Sequence, residues 1–396
     1  MKYVVIIGDG MADFPIEELG GKTPLMVAEK PYMDMMASEG FCGKVLTIPD
    51  GLPSGSDVAC LSIFGYNPAK SYTGRAPIEA AGMGIPMTET DVAFRCNLVY
   101  IEDKADGPVM ADYSGGHITT LEAKAIIEEI NGLFGNNRFS FFTGVGYRHI
   151  MIWRDGEDKM TTTPPHDIIG KEIAPYMPAG KGADEIKALM ATAAEFLKDH
   201  RVNIERKRMG KPPANGIWLW GQGKRLSLPL FLDRYGLKGA TVAAVDLIKG
   251  ISRLIGFDAP HVEGATGYLD TDYKAKAEKA IELLNDHNIV YIHIEAPDEA
   301  SHNANIKEKI KAIESIDKEI VRRLYEATTE DSRFLVVTDH ATPIIMKTHY
   351  ACPVPFIIFD KKRRRKGPAI RYDEQAGDGV FDGEEMVSAF LKGDRP

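Results

Sequence analysis

Short apolar runs with no polar face alternate along much of the chain with stretches of helical periodicity. Residues 3–7, 240–245, 289–295, 334–337 and 354–359 read as β-strands. Residues 247–255, 273–287 and 306–327 space their apolar side chains as helices do, and residues 23–40 share that spacing and end in glycine. Strands that are apolar on both sides belong to a mainly parallel sheet covered by helices, and such sheets carry their chemistry at the carboxyl ends of the strands. The middle of the chain reads differently. A strand at 92–100, an amphipathic helix at 120–131, a hairpin pair at 139–143 and 149–153, a helix at 184–200 and a strand at 217–220 form an inserted α+β domain. Residues 201–216 are basic, then rich in proline and glycine. Small residues at 78–88 suit a hinge. The pattern therefore predicts an α/β core from 1–80 and 235–396 and an insert at 85–230.

Length agrees with two domains, since 396 residues exceed one average core. The formal charge of −9 argues against nucleic acid as the main partner, although local cations can still build an anion pocket. Cys42, Cys60, Cys96 and Cys352 lack CxxC spacing and read as reduced thiols. The opening MKYVVIIGDG is too short and strand-like for a signal peptide or membrane span, so the expected location is the cytoplasm, away from membranes. The basic run at 361–366 reads as a solvated turn.

Three of the predicted strands end in candidate metal ligands. Asp9 follows the first, Asp298 and His302 follow the strand at 289–295, and Asp339 with His340 follow 334–337; His349 comes nine residues after His340. Asp298 and His302 are one helical turn apart and can face one ion. Any one of these is equally a turn aspartate or a capping residue, but three in one sheet are improbable by chance. Mixed carboxylate and imidazole donors suit two divalent cations, manganese, zinc or magnesium. Ser56 opens a predicted helix in PSGSDVACLSIFGY; there a serine can be a plain N-cap, or sit where amides and the helix dipole hold phosphate. The histidines at 149, 166, 200, 261, 287 and 293 show no such partners and read as structural or surface residues.

GDGMAD, PSGSDVACLSIFGY, TGRAPIEAAGMGI, YSGGH, GVGYRH, APDEASH and VVTDHATP together resemble the archaeal-type, cofactor-independent phosphoglycerate mutases of the alkaline phosphatase superfamily, over the whole chain. The resemblance implies an alkaline-phosphatase-like fold and a small phosphorylated substrate, with no bisphosphoglycerate requirement. It also implies that Asp9, Ser56, Asp339 and His340 bind one ion and Asp298, His302 and His349 the other. Ser56 would be the nucleophile, His117 a proton carrier, and Arg148, with Arg75 and Lys224, substrate contacts. It leaves oligomeric state open. Two departures stand out: Cys60, where relatives often carry asparagine, and the turn of IWLWGQGK, where an arginine is common. The second keeps a homoserine kinase of the same branch as a rival; an inactive, metal-stabilised binding protein is a third reading.

Overall fold

The computed structural model describes residues 1–364, 369–377 and 379–393. Its contacts divide the chain into two compact units, Met1–Tyr72 with Ser227–Pro396, and Thr73–Leu226.

The first unit is built on a seven-stranded sheet in the order Gly239–Val242, Ile289–Ile294, Lys2–Gly8, Ser332–Thr338, Val354–Asp360, Phe41–Leu46, Val380–Asp382. Val354–Asp360 runs antiparallel to both neighbours; the remaining pairings are parallel. Val4 to Ile7 and Phe334 to Val337 are fully buried, as their all-apolar sequences require of strands covered on both faces. Phe41–Leu46 and Val380–Asp382 were not anticipated; each is short and mixes polar with apolar residues.

The register of the three central strands positions the chemistry. Gly8 pairs with Ile294 on one side and with Thr338 on the other. The residues that follow, Asp9, Glu295 and Asp339, therefore leave the sheet side by side, about one strand spacing of 4.8 Å apart.

The second unit is an antiparallel sheet, in the order Gly107–Asp112, Val92–Lys104, Arg148–Trp153, Phe139–Phe142, with Gly216–Lys224 also paired to Val92–Lys104. Helices Thr120–Phe134 and Ala183–Lys198 pack on it through Ile126, Ile127, Ile130, Ile186 and Leu197. Two expectations need correcting, the hinge at 78–88 and the solvated turn at 361–366. The segment taken for a hinge begins with a helix, Arg75–Gly82, whose Ala76, Ile78 and Ala80 are fully buried; Ala76 and Ala80 pack with Ala93, Ile150 and Ile152. Its small side chains allow close packing instead of flexibility. The basic stretch after 200 contains a helix, Arg201–Arg208, with Arg206 buried. Of the basic run at 361–366, Lys361 is buried and donates to the carbonyls of Tyr325 and Thr328, which corrects the solvated turn there; Arg365 and Lys366 lie outside the described residues.

Candidate active site

At the carboxyl ends of the central strands the predicted ligands meet in two overlapping clusters. Asp9, Asp339 and His340 place donor atoms within 4.8 Å of one another, and so do Asp298, His340 and His349. His340 Nε2 is 3.5 Å from Asp9 Oδ1 and 3.3 Å from Asp339 Oδ2. In the outer cluster Asp298 reaches His302 Nε2 at 3.1 Å and His349 Nε2 at 3.4 Å. The two imidazole Nε2 atoms are themselves 3.1 Å apart.

Hydrogen bonds fix these side chains. Asp339 Oδ1 accepts from the amides of Gly10 (3.0 Å) and His340 (2.8 Å), which turns Oδ2 inward. His302 Nδ1 lies 2.8 Å from the carbonyl of Lys347, and His349 Nδ1 3.1 Å from that of Ser54. These contacts aim each Nε2 at Asp298, and a ring whose one proton sits on Nδ1 is the tautomer a metal needs. Gly10 has φ +61°, and a Cβ there would come within 2.9 Å of Asp298 Cα, so glycine is what lets two of the loops touch.

Ser56 is the first residue of helix Ser56–Ile63, with Gly55 as N-cap, so its hydroxyl is not spent on capping. It lies 3.1 Å from His340 Nε2 and 3.5 Å from Asp9 Oδ2. The helix amino terminus adds a favourable field for an anion.

The electrostatics call for cations. Burial, then Asp339, Asp298 and Glu295, push the Asp9 carboxyl well above its ordinary range. Burial also raises Asp298, but His302 and His349 outweigh it and hold that carboxyl well below the usual range. Burial lowers His302, whereas Asp298 lifts it further, to about 9; His340, dominated by burial, falls to about 4. Asp9 Oδ1 and Asp339 Oδ2 are buried with no hydrogen-bond partner among the described residues. Orphaned carboxylate oxygens that converge with imidazole nitrogens are a fit for divalent cations, and a cation there would take the place of the protons that burial opposes but Asp298 draws onto His302 and His349.

Sequence reasoning missed one member. His293, expected to lack partners, lies with Nε2 3.5 Å from Asp9 Oδ2. Cys60 is fully buried, and its sulfur lies within 4.8 Å of donor atoms of His293 and Asp339. The one available signal was a histidine interrupting an otherwise apolar strand.

The remaining candidates lie in the second unit. His117 is exposed, at φ +52°, in a turn whose Gly115 and Gly116 carbonyls each accept from Arg206 Nη2 at 2.8 Å. Arg148 is exposed at the start of its strand. Arg75 is bonded to Glu79 at 2.9 Å, as is Arg95, which sequence reasoning did not single out. Burial raises Glu79, but Arg95, Arg75 and Arg148 together bring it below its ordinary value. Arg95 also stacks 4.3 Å over Trp220 of the unusual IWLWGQGK stretch, which is strand as far as Lys224 and not a turn. Lys224 ends that strand, its carbonyl accepting from Thr73.

Comparison with known proteins bears on this arrangement. A family model described as 2,3-bisphosphoglycerate-independent phosphoglycerate mutase matches residues 37–203. A protein of Geobacter sulfurreducens, named a probable 2,3-bisphosphoglycerate-independent phosphoglycerate mutase, is 47% identical over 99% of this chain and 100% of its own. The chain belongs to that family. The Methanosarcina barkeri phosphoglycerate mutase is 46% identical with the same coverage. Among solved structures, the PH0037 protein of Pyrococcus horikoshii (31% identity, TM-score 0.84, 99% of this chain and 96% of that one) has a similar fold. So does the cofactor-independent phosphoglycerate mutase of Thermoplasma acidophilum (26%, 0.65, 99% of each). Among the described residues, no helix is long and apolar enough to cross a membrane.

Proposed function

We propose that the chain is a 2,3-bisphosphoglycerate-independent phosphoglycerate mutase, interconverting 3-phosphoglycerate and 2-phosphoglycerate through a phosphoserine at Ser56. The observation that carries this reading is the Ser56 hydroxyl, free of any capping role, beside converging imidazoles and carboxylates, of which Asp9 Oδ1 and Asp339 Oδ2 have no hydrogen-bond partner among the described residues. Asp9, Ser56, Asp339 and His340 would hold one divalent cation, and Asp298, His302 and His349 a second, with manganese, zinc and magnesium all compatible with these donors. Bound there, such ions would supply Lewis-acid polarisation of the serine and phosphoryl oxygens.

The steps taken by the chain itself are these. Ser56 Oγ attacks phosphorus; the Oγ–P bond forms, the P–O3 bond breaks, and the proton lost by Ser56 ends on the departing 3-oxygen. The amino terminus of helix Ser56–Ile63 favours the phosphoserine dianion. Glycerate is retained and reoriented. Its 2-hydroxyl oxygen then attacks the phosphoserine, and Ser56 recovers its proton. We assign Arg148 to the glycerate carboxylate, which its planar fork can bind with two hydrogen bonds. His117 carries protons to and from the glycerate hydroxyls, and Arg75 and Lys224 bind the substrate's anionic groups. In this division of labour Met1–Tyr72 with Ser227–Pro396 does the phosphoryl chemistry and Thr73–Leu226 selects the substrate. A cytoplasmic location is part of the reading, supported by four cysteines that are all free.

The test is an enolase-coupled assay with 3-phosphoglycerate, Mn²⁺ and no added bisphosphoglycerate. Turnover is expected, with loss of at least a thousandfold in Ser56→Ala. Activity only with homoserine and a nucleotide would overturn the mutase reading in favour of the kinase.

A further inference from the structure

Behind the inner cluster lies a chain of buried polar groups that the mechanism above does not use. His293, on strand Ile289–Ile294, is 0% exposed. Its Nε2 faces Asp9 Oδ2 at 3.5 Å and its Nδ1 faces Glu295 Oε1 at 3.3 Å. These are ion-pair distances: among the described residues neither ring nitrogen, nor Glu295 Oε1, has a hydrogen-bond partner. Lys276, also 0% exposed, bonds Glu295 Oε2 at 2.8 Å and the His293 carbonyl at 3.1 Å. Lys276 thus holds the His293 backbone and Glu295 together, and the ring lies between two carboxylates, with Nδ1 toward Glu295 and Nε2 toward Asp9.

The donors of Cys60, His293 and Asp339 are also close enough to ligate an ion themselves. Charge argues against that occupant. The carboxylates of Asp9, Asp298, Asp339 and Glu295 are matched by the two divalent cations of the proposed function, and Lys276 already adds a fixed positive charge against Glu295. Burial raises the Glu295 carboxyl, but Lys276 and His293 outweigh it and hold it at about 2. A third divalent ion would add uncompensated charge in a place with no water to screen it.

We propose that His293 is a positioning residue for Asp9, with Glu295 and Lys276 as the chain that orients its ring. The inference rests on the reading of Asp9 as a metal ligand. Outer partners of this kind fix the aim of a ligand, and losing one typically weakens metal binding by about 10–100-fold.

The test is Mn²⁺ titration calorimetry on the metal-free full chain at one pH, for wild type, His293→Leu and His293→Gln, with the melting temperature of each metal-free protein alongside. Leucine keeps the volume without the N–H; glutamine can present an amide N–H near the position of Nε2. Two sites are expected in wild type. In His293→Leu one of them should weaken by about 10–100-fold, with the other unchanged and glutamine recovering most of the loss. Unchanged affinities in His293→Leu overturn the proposal. So does joint weakening of both sites together with a lower metal-free melting temperature, which marks a merely structural residue. Uptake of a third equivalent of Co²⁺, with near-ultraviolet sulfur-to-cobalt absorption that Cys60→Ser removes, also overturns it by making the pocket a metal site. Wild-type protein that binds no Mn²⁺ overturns the ligand reading of Asp9 itself, a result distinct from all of these.

Discussion

The acid stability of the Thr73–Leu226 unit should depend in large part on His149. This imidazole is 2% exposed, and its Nδ1 accepts the Gly144 amide at 3.0 Å. Burial, helped by the Arg148 guanidinium next to it, lowers its pKa from 6.5 to about 3. The folded value is depressed, so below pH 6.5 the unfolded chain takes up a proton that the folded chain refuses. Stability from this group is therefore complete above pH 6.5 and is lost progressively as pH falls from 6.5 toward 3. Between pH 7.5 and pH 5 the gap is about 1.5 pH units, worth about 2 kcal/mol. His149→Asn can keep an acceptor for the Gly144 amide but does not titrate, and should not show that loss. The assay is unusually selective, because all 3 tryptophans, Trp153, Trp218 and Trp220, lie in this unit. Urea unfolding followed by intrinsic fluorescence thus reads it alone. The wild-type free energy should drop by about 2 kcal/mol more than that of the variant between the two pH values. Equal losses in the two proteins would refute the reasoning.

Further outcomes can be stated more briefly. Gly10→Ala combines positive φ with a Cβ 2.6 Å from Thr342 Oγ1 and 2.9 Å from Asp298 Cα. It should cost about 2–4 kcal/mol in chemical denaturation and weaken Mn²⁺ binding at both sites; wild-type values for both would contradict the close-approach argument. Chelation should lower the melting temperature of the Met1–Tyr72 and Ser227–Pro396 unit by several degrees, because buried carboxylates lose their counter-charges. Far-UV circular dichroism with and without Mn²⁺ checks this, and an unchanged midpoint counts against divalent binding. Arg148→Ala should raise KM for 3-phosphoglycerate by about 10–100-fold, as expected for a lost charge-assisted contact, while leaving Ser56 able to become phosphorylated. An unaltered KM removes Arg148 from the substrate contacts.

What could be read from the chain follows from the range of each signal. Asp9, Asp298 and Asp339 were legible because each stands at or just beyond the end of an all-apolar run, and a buried parallel strand can end in only one kind of place. Ser56 was legible by position, though whether its hydroxyl would cap the helix depended on Gly55 taking the N-cap, a backbone detail beyond any composition rule. His293 was not legible. One histidine in a buried strand does not say what it faces, and its partner Asp9 is distant in sequence, brought close only by the register that pairs Ile7 with His293. The same limit hid Arg95 and Arg206, charged residues in segments read as ordinary strand and basic stretch, whose partners Glu79, Gly115 and Gly116 come from elsewhere in the unit. The false hinge has a different cause: the RAPIEAAG segment is small because it packs closely, and small residues read as flexible only where nothing covers them. In this protein the side chains that cluster at the strand ends announce themselves through local pattern. Those that hold them in place depend on long-range register, so the supporting shell of the site has to be read from the fold.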